Sequence, residues 1–356
     1  MLKMMLAAGV AVLTMAVQTP IHAKDKYEGE NVRIVINLGA GGSTGVMAQL
    51  FANHWKEHIP GDPNFVVQPV TGGAQMKGII EARNARPDGF TIAWVAWSGP
   101  TRAIGPKSQN VDWSDFEVIA GVGVPQMAYM RNDVGDGVSG YEDLVGLQGV
   151  HIGGYRPGSY LDLTARMSLD LLGVDYDYTT GFGGGSKIVA ALQRDEVNFH
   201  VTPAANYFGG IEDNVVEAGM GLPLWYYELP GSDGKRAQND QFEGISTFRQ
   251  VAETITGSPP SGPIWDSLQW LNNGMAGVTW FIGVPAGVDA ETVEMLRTTF
   301  AETISDPAFL AEAVEKTGIV PTYTPPEAMQ TMIDGLKNVD PAIAETVTGY
   351  IESGTQ

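Results

Sequence analysis

Asn31-Val32-Arg33-Ile34-Val35-Ile36-Asn37-Leu38-Gly39-Ala40-Gly41-Gly42-Ser43-Thr44-Gly45 decides the fold. Its first half is β-branched and apolar, the composition of a strand buried on both faces. Its second half is a glycine loop opening onto Val46, Met47, Leu50, Phe51, His54, Trp55 and His58, which recur at helical spacing. Such a turn brings bare backbone N–H groups to a strand's carboxyl end. Open α/β sheets bind their ligands there, and helix N-termini favour anions. The unit repeats at once. Asn64-Phe65-Val66-Val67-Gln68 leads to the loop Val70-Thr71-Gly72-Gly73-Ala74, and a helix over 78–86 stops at Pro87-Asp88-Gly89. The strand Phe90-Thr91-Ile92-Ala93-Trp94-Val95-Ala96 then closes on Trp97-Ser98-Gly99-Pro100. Two strand–loop–helix units followed by a third strand predict parallel βαβ pairing.

The pattern loosens near Phe116 to Gly123, where a second α/β block begins. Val150-His151-Ile152-Gly153-Gly154 reads as a strand leading into Tyr155-Arg156-Pro157-Gly158-Ser159-Tyr160. Ser159-x-x-Asp162 has the spacing of a capping box, and Gly173 stops the helix behind it. A glycine loop, Gly181-Phe182-Gly183-Gly184-Gly185-Ser186, opens a short helix, and Val197-Asn198-Phe199-His200-Val201 is a strand. Residues 228–264, rich in Gly, Pro, Ser and charge, are expected to be a surface excursion. Beyond them come a strand over 277–285 and two amphipathic helices, capped by Asp289 and by Asp306 with Pro307 at its first position.

Residues 1–23 read as a secretory leader: Lys3, an apolar run over 4–17, and Pro20-Ile21-His22-Ala23 as the cleavage site. Removing it from 356 residues leaves about 333, more than one core usually holds, so two lobes are expected. Exported chains of this size need no disulfide staple, and this one has no Cys, which suits a Gram-negative periplasm. The net charge of −20, from 41 acidic against 21 basic side chains, makes nucleic acid an improbable partner. It does not exclude an anionic ligand, because a site a few ångströms across is set by local donors.

The motifs Arg33-Ile34-Val35 into Ala40-Gly41-Gly42-Ser43-Thr44, then Thr71-Gly72-Gly73, then Pro87-Asp88-Gly89-Phe90-Thr91, stand in an order that resembles the substrate-binding receptors of tripartite tricarboxylate transporters, the Bug receptors. Gly158-Ser159, Gly181-Phe182-Gly183-Gly184 and Asp306-Pro307 extend the resemblance from about Tyr27 to about Ile333. It implies a two-lobed α/β periplasmic-binding-protein fold, type II-like, each lobe a mixed, mostly parallel sheet flanked by helices with the ligand cleft between. Residues 24–124 plus 225–356 would form the first lobe and 125–224 the second. The implied function is capture of a small carboxylate, a di- or tricarboxylate or an aromatic acid, and its delivery to a membrane permease by a periplasmic, monomeric receptor without cofactor or metal. Carried over by position, the carboxylate would lie against Gly42, Ser43, Thr44, Thr71, Gly72, Gly73, Ala74 and Ser98, with Gly158, Ser159, Phe182 and Thr202 opposite. Three departures bear on the solute: Gly45 where the family often has Asp, Pro69-Val70-Thr71 opening the second loop, and bulky Trp97 in the third.

From the residues themselves, Arg156 beside Pro157-Gly158 offers a guanidinium that could pair bidentately with a second carboxylate, and Arg102 is a weaker version of the same idea. Of the aromatics at strand ends and second-lobe loops (Trp97, Trp280, Tyr155, Tyr160, Phe182, Tyr207), core packing claims most. Trp97, Tyr160 and Phe182 are expected to wall the cleft. Ser43 and Thr44 also have a structural reading, as N-caps. Competing functions remain in view. A sensory partner of a membrane kinase would close on ligand in the same way. Gly41-Gly42-Ser43-Thr44-Gly45 matches the nucleophile elbow, with Asp175 or Asp177 and then His200 in hydrolase order, but it closes the first strand rather than a later one. Gly39-x-Gly41 starts like a dinucleotide fingerprint, yet Thr44 takes the third glycine's place. His54 and His58 share a helix face without a visible third ligand.

Overall fold

The computed structural model describes residues 26–104, 111–229, 240–274 and 278–355. The expected leader lies outside them, as do residues 230–239 of the expected excursion. In chain order the strands are β1 (Asn31–Ile36), β2 (Asn64–Pro69), β3 (Thr91–Ala96), β4 (Phe116–Gly123), β5 (Gln126–Arg131), β6 (Val150–Gly153), β7 (Tyr176–Thr179), β8 (Phe199–Pro203), β9 (Gly221–Tyr227), β10 (Trp280–Pro285) and β11 (Thr322–Thr324). The main helices are α1 (Ser43–His58), α2 (Met76–Arg83), α3 (Gly99–Ile104), α4 (Tyr160–Leu171), α5 (Gly185–Gln193), α6 (Phe248–Thr256), α7 (Pro263–Gly274), α8 (Ala290–Ser305), α9 (Pro307–Thr317), α10 (Pro326–Gly335) and α11 (Pro341–Ser353).

Two sheets form two lobes, one of six strands in the order β11-β4-β10-β3-β1-β2 and one of five in the order β7-β6-β8-β5-β9. As the βαβ reading requires, β1 runs parallel to both β2 and β3. In the second sheet β6 likewise runs parallel to β8 and to β7, a strand not expected from the sequence. The remaining ladders are antiparallel. The sheets are therefore evenly mixed rather than mostly parallel. The cause is the chain's route: β4 carries it out of the first sheet and β10 brings it back, so these neighbours run in opposite directions.

The first lobe is organised by α1, which buries Met47, Leu50, Phe51 and Trp55 and leaves Val46 exposed. Phe51 stacks on Phe300 at 4.7 Å and meets Phe309 at 4.4 Å, while Trp55 donates to Thr299 Oγ1 at 2.9 Å. Aromatic side chains of this kind bury about 150–250 Å² each, which anchors the helix and its N-terminal loop against α8 and α9.

The packing differs from the expected division at 224/225. β9 spans that point and pairs with β5 in the second sheet. Phe248, Val251, Ala252, Trp265, Leu268 and Leu271, with Val347 and Ile351, join a core containing Leu163, Met167 and Phe199. Helix α6 thus packs on β9 of the second sheet, α7 on α4 and α11 on α7, and the residues 228–264 are not a surface excursion throughout. Glycine, proline and serine punctuation hid α6, which Thr247 and Gln250 start with a reciprocal capping box and Gly257 ends at φ 72°. This packing supports a second lobe running from 126 to 274 with α11 added. The chain crosses between lobes after β4, between α7 and β10, and between α10 and α11.

Candidate functional site

Two cavities adjoin between the lobes. The inner one, about 640 Å³ including its mouth, is bounded on the first lobe by Gly42, Ser43, Thr44, Trp97, Ser98 and Trp280. Gln126, Tyr155, Arg156, Ser159 and Tyr160 bound it on the other side. The outer one, about 680 Å³, lies between Thr71, Gly72, Gly73 and Ala74 on one side and Thr180, Gly181 and Phe182 on the other. Leu38, Gln75, Tyr155 and Arg156 face both. Three expected residues line neither, Gly158, Thr202 and Arg102. Gly158 backs onto Arg156, and fully buried Thr202 accepts from Asn206 Nδ2 at 3.0 Å.

The first glycine loop presents a helix N-terminus with no side chain over it. Gly42, extended at φ −106° and ψ 177°, is the N-cap of α1, and the first turn carries no acid. The reading of Ser43 or Thr44 as N-cap is thereby corrected: they are the first helical residues, and their N–H groups have no acceptor one turn back. Thr44 Oγ1 instead accepts from Trp280 Nε1 at 2.9 Å. Gly45 is required here, since a Cβ would overlap the Ala40 carbonyl as the loop folds under the helix. Facing it, Gly184 caps α5, again without a side chain. The loops touch, and Gly39 N–H donates to the Gly183 carbonyl at 3.3 Å, so the lobes are closed on each other.

The second loop is strained. Residues 72–75 all have φ between 50° and 109°, and for Ala74 and Gln75 this costs about 1–2 kcal/mol each. Arg102 holds the loop from behind. Its guanidinium reaches Ala74 O at 3.0 Å, Ser98 Oγ at 2.7 Å and Met76 Sδ at 3.0 Å, tying the second and third loops together. Arg102 lines neither cavity, so its expected ligand contact is replaced by a positioning role.

Arg156 occupies the centre. It is 5% exposed, and its Nε and Nη2 have no hydrogen-bond partner. Burial pulls its pKa down from 12.5 to about 10, against an opposing pull from the Asp162 charge. The loop that carries it is built on Asp162. That fully buried carboxylate accepts from the backbone N–H groups of Tyr155 and Arg156, each at 3.0 Å, and from the hydroxyls of Ser159 and Tyr178. The Ser159 hydroxyl also caps α4 by accepting from Asp162 N–H at 3.1 Å, as the capping spacing predicts. A guanidinium with unpaired N–H groups, opposite a helix N-terminus, is an arrangement for holding an anion.

The hydrolase arrangement is not assembled. His200 lies on β8, its Nδ1 hydrogen-bonded to the Gly153 carbonyl at 3.0 Å, and its ring packs on Tyr129 and Tyr155 rather than beside Ser43. Burial pulls its pKa from 6.5 to about 4. His54 and His58 sit on the outer face of α1, paired with Glu312 at 2.6 Å and Asp306 at 3.1 Å. Gln75, Gln126, Tyr155 and Trp280 were not expected at the site. Tyr155 and Trp280 had a signal, their place at a loop and a strand end, but core packing was the stronger claim. Gln126 gave none, because its role follows from the crossing between lobes.

No family model matches the sequence, and no curated protein matches it. Solved structures do. The periplasmic binding protein BugD superposes with a TM-score of 0.69 at 18% identity, over 91% of this chain and 98% of its own. Rpa4515 from R. palustris, solved with adipate, gives 0.67 at 17% identity over 91% and 97%. MatC from Rhodopseudomonas palustris, with bound malate, gives 0.62 at 15% over 91% and 97%. The structural neighbours are thus Bug- and TctC-type periplasmic binding proteins, the type the sequence motifs resemble.

Proposed function

We propose that the chain is a periplasmic solute-binding receptor that closes its two lobes on a small carboxylate and hands it to a membrane permease of the tripartite tricarboxylate type. The observation that carries this reading is Arg156: a buried cation with two unpartnered nitrogens, facing an uncapped helix N-terminus across an interlobe cavity. A guanidinium so placed is costly until an anion joins it. Ligand therefore stabilises the closed form through contacts to both lobes at once. The binding site we propose comprises Gly42, Ser43, Thr44, Trp97, Ser98, Arg156 and Tyr160 around the inner cavity, with Thr71 to Ala74 and Phe182 around the outer. The neighbours solved with malate and adipate support a carboxylate as the solute class.

A thermal-shift panel of citrate-like, C4, longer dicarboxylic and aromatic acids on the mature protein tests the reading. A ligand at about 100 times its Kd adds roughly 2.7 kcal/mol of stability, a shift of several degrees. No shift from any acid would overturn it.

A further inference from the structure

The inner cavity has a chemistry more specific than carboxylate capture. Arg156 is the one ionised side chain among its described lining residues. Around it stand four aromatic residues, three of them with their polar ends already engaged. Trp97 Nε1 donates to the Gly274 carbonyl at 3.2 Å, Trp280 Nε1 to Thr44 Oγ1 at 2.9 Å, and Tyr160 OH to Asn272 Oδ1 at 2.6 Å. What these residues have left to offer is ring surface. Trp97 is also fixed from behind by Trp113 at 4.8 Å and Phe281 at 6.1 Å. Rigid flat walls favour a planar apolar body, and one guanidinium matches one carboxylate.

Gln126 adds a second polar requirement. It is 4% exposed and lines the cavity. Its Nε2 donates to the Val124 carbonyl at 2.8 Å and to Thr279 Oγ1 at 3.3 Å. A carbonyl can only accept, so the amide orientation is fixed and Oε1 is the end left over. That oxygen is buried without a hydrogen-bond partner. A buried acceptor of this kind discriminates strongly between a ligand that brings a donor and one that does not.

We infer that the inner cavity takes a hydroxyl-bearing aromatic monocarboxylate, its carboxylate on Arg156 and its hydroxyl donating to Gln126 Oε1. The inference rests on the carboxylate-receptor reading and narrows it to one ligand class. Titration calorimetry on the mature protein, with 3- and 4-hydroxybenzoate, benzoate, cyclohexanecarboxylate, malate and adipate, separates the two. The better hydroxybenzoate is expected to bind about tenfold tighter than benzoate, and benzoate tighter than either aliphatic diacid. Gln126→Met should erase the preference for the hydroxyl, so that the better hydroxybenzoate and benzoate bind the variant equally. Equal affinity for benzoate and both hydroxybenzoates in the wild-type protein would overturn the inference without needing the variant. Tighter binding of malate or adipate than of any aromatic acid would also overturn it, and would leave the broader receptor reading intact. Silence from every acid would remove both.

Discussion

Replacing Arg156 by Met should move stability and affinity in opposite directions. The side chain is 5% exposed, and burial depresses its pKa from 12.5 to about 10. At about 1.4 kcal/mol per pKa unit, the ligand-free closed form carries roughly 3 kcal/mol of disfavoured charge. Both folded and unfolded chains are protonated at pH 7, so the whole penalty falls on the folded state there. Methionine fills the volume of the aliphatic stem without the charge, and the ligand-free variant should melt a few degrees higher than wild type. On the proposed function the same change removes the cationic partner of a carboxylate ligand, which should cost about 2 kcal/mol or more, roughly 30-fold in Kd. Differential scanning calorimetry without ligand and titration with the best acid of the panel read the two effects separately. A variant that melts earlier and keeps its affinity within threefold would show that Arg156 supports the loop and does not hold the ligand.

Asp162→Asn should lower stability by about 2–4 kcal/mol in chemical denaturation, since it disturbs a fully buried acceptor serving four donors, and should weaken acid binding by displacing Arg156. Gly45→Ala places a Cβ on the Ala40 carbonyl and should cost about 1–3 kcal/mol, with loss of binding; a variant as stable as wild type would show that the loop has room to relax. His200 has its pKa lowered from 6.5 to about 4 by burial, so below pH 6.5 the unfolded chain takes up a proton that the folded one refuses. Stability should therefore fall as pH drops from about 6.5 to about 4, by roughly 3 kcal/mol, and His200→Phe should flatten that part of the profile.

The parallel core of each lobe was legible because a strand ending in glycines is a local signal. β1, β2, β3 and β6 all announce themselves within a few residues. The cleft was legible as a set of loops but not as two compartments. Which of them Thr71 or Thr44 faces depends on how the lobes meet, and no short stretch encodes that. Gln126 shows the limit well. Its Nε2 is held by Val124, two residues away, and by Thr279, far off in sequence, so its free oxygen exists only once the crossing strands are together. That α6, α7 and α11 join the second lobe's core, inside a range expected in the first lobe, was hidden for the same reason. Which sheet a helix packs on is a tertiary choice that no local pattern encodes.

Where the lobes meet, the facing surfaces are bare main chain. A methyl group added at Gly39, Gly42 or Gly184 would come to rest 3.5–3.7 Å from the opposite loop, ordinary contact distance, whereas anything branched would act as a doorstop. A seam of this kind holds little by itself and swells by the width of one side chain. Whatever bridges the two halves then decides how long they stay together, and a single valine at the rim would leave them standing permanently ajar.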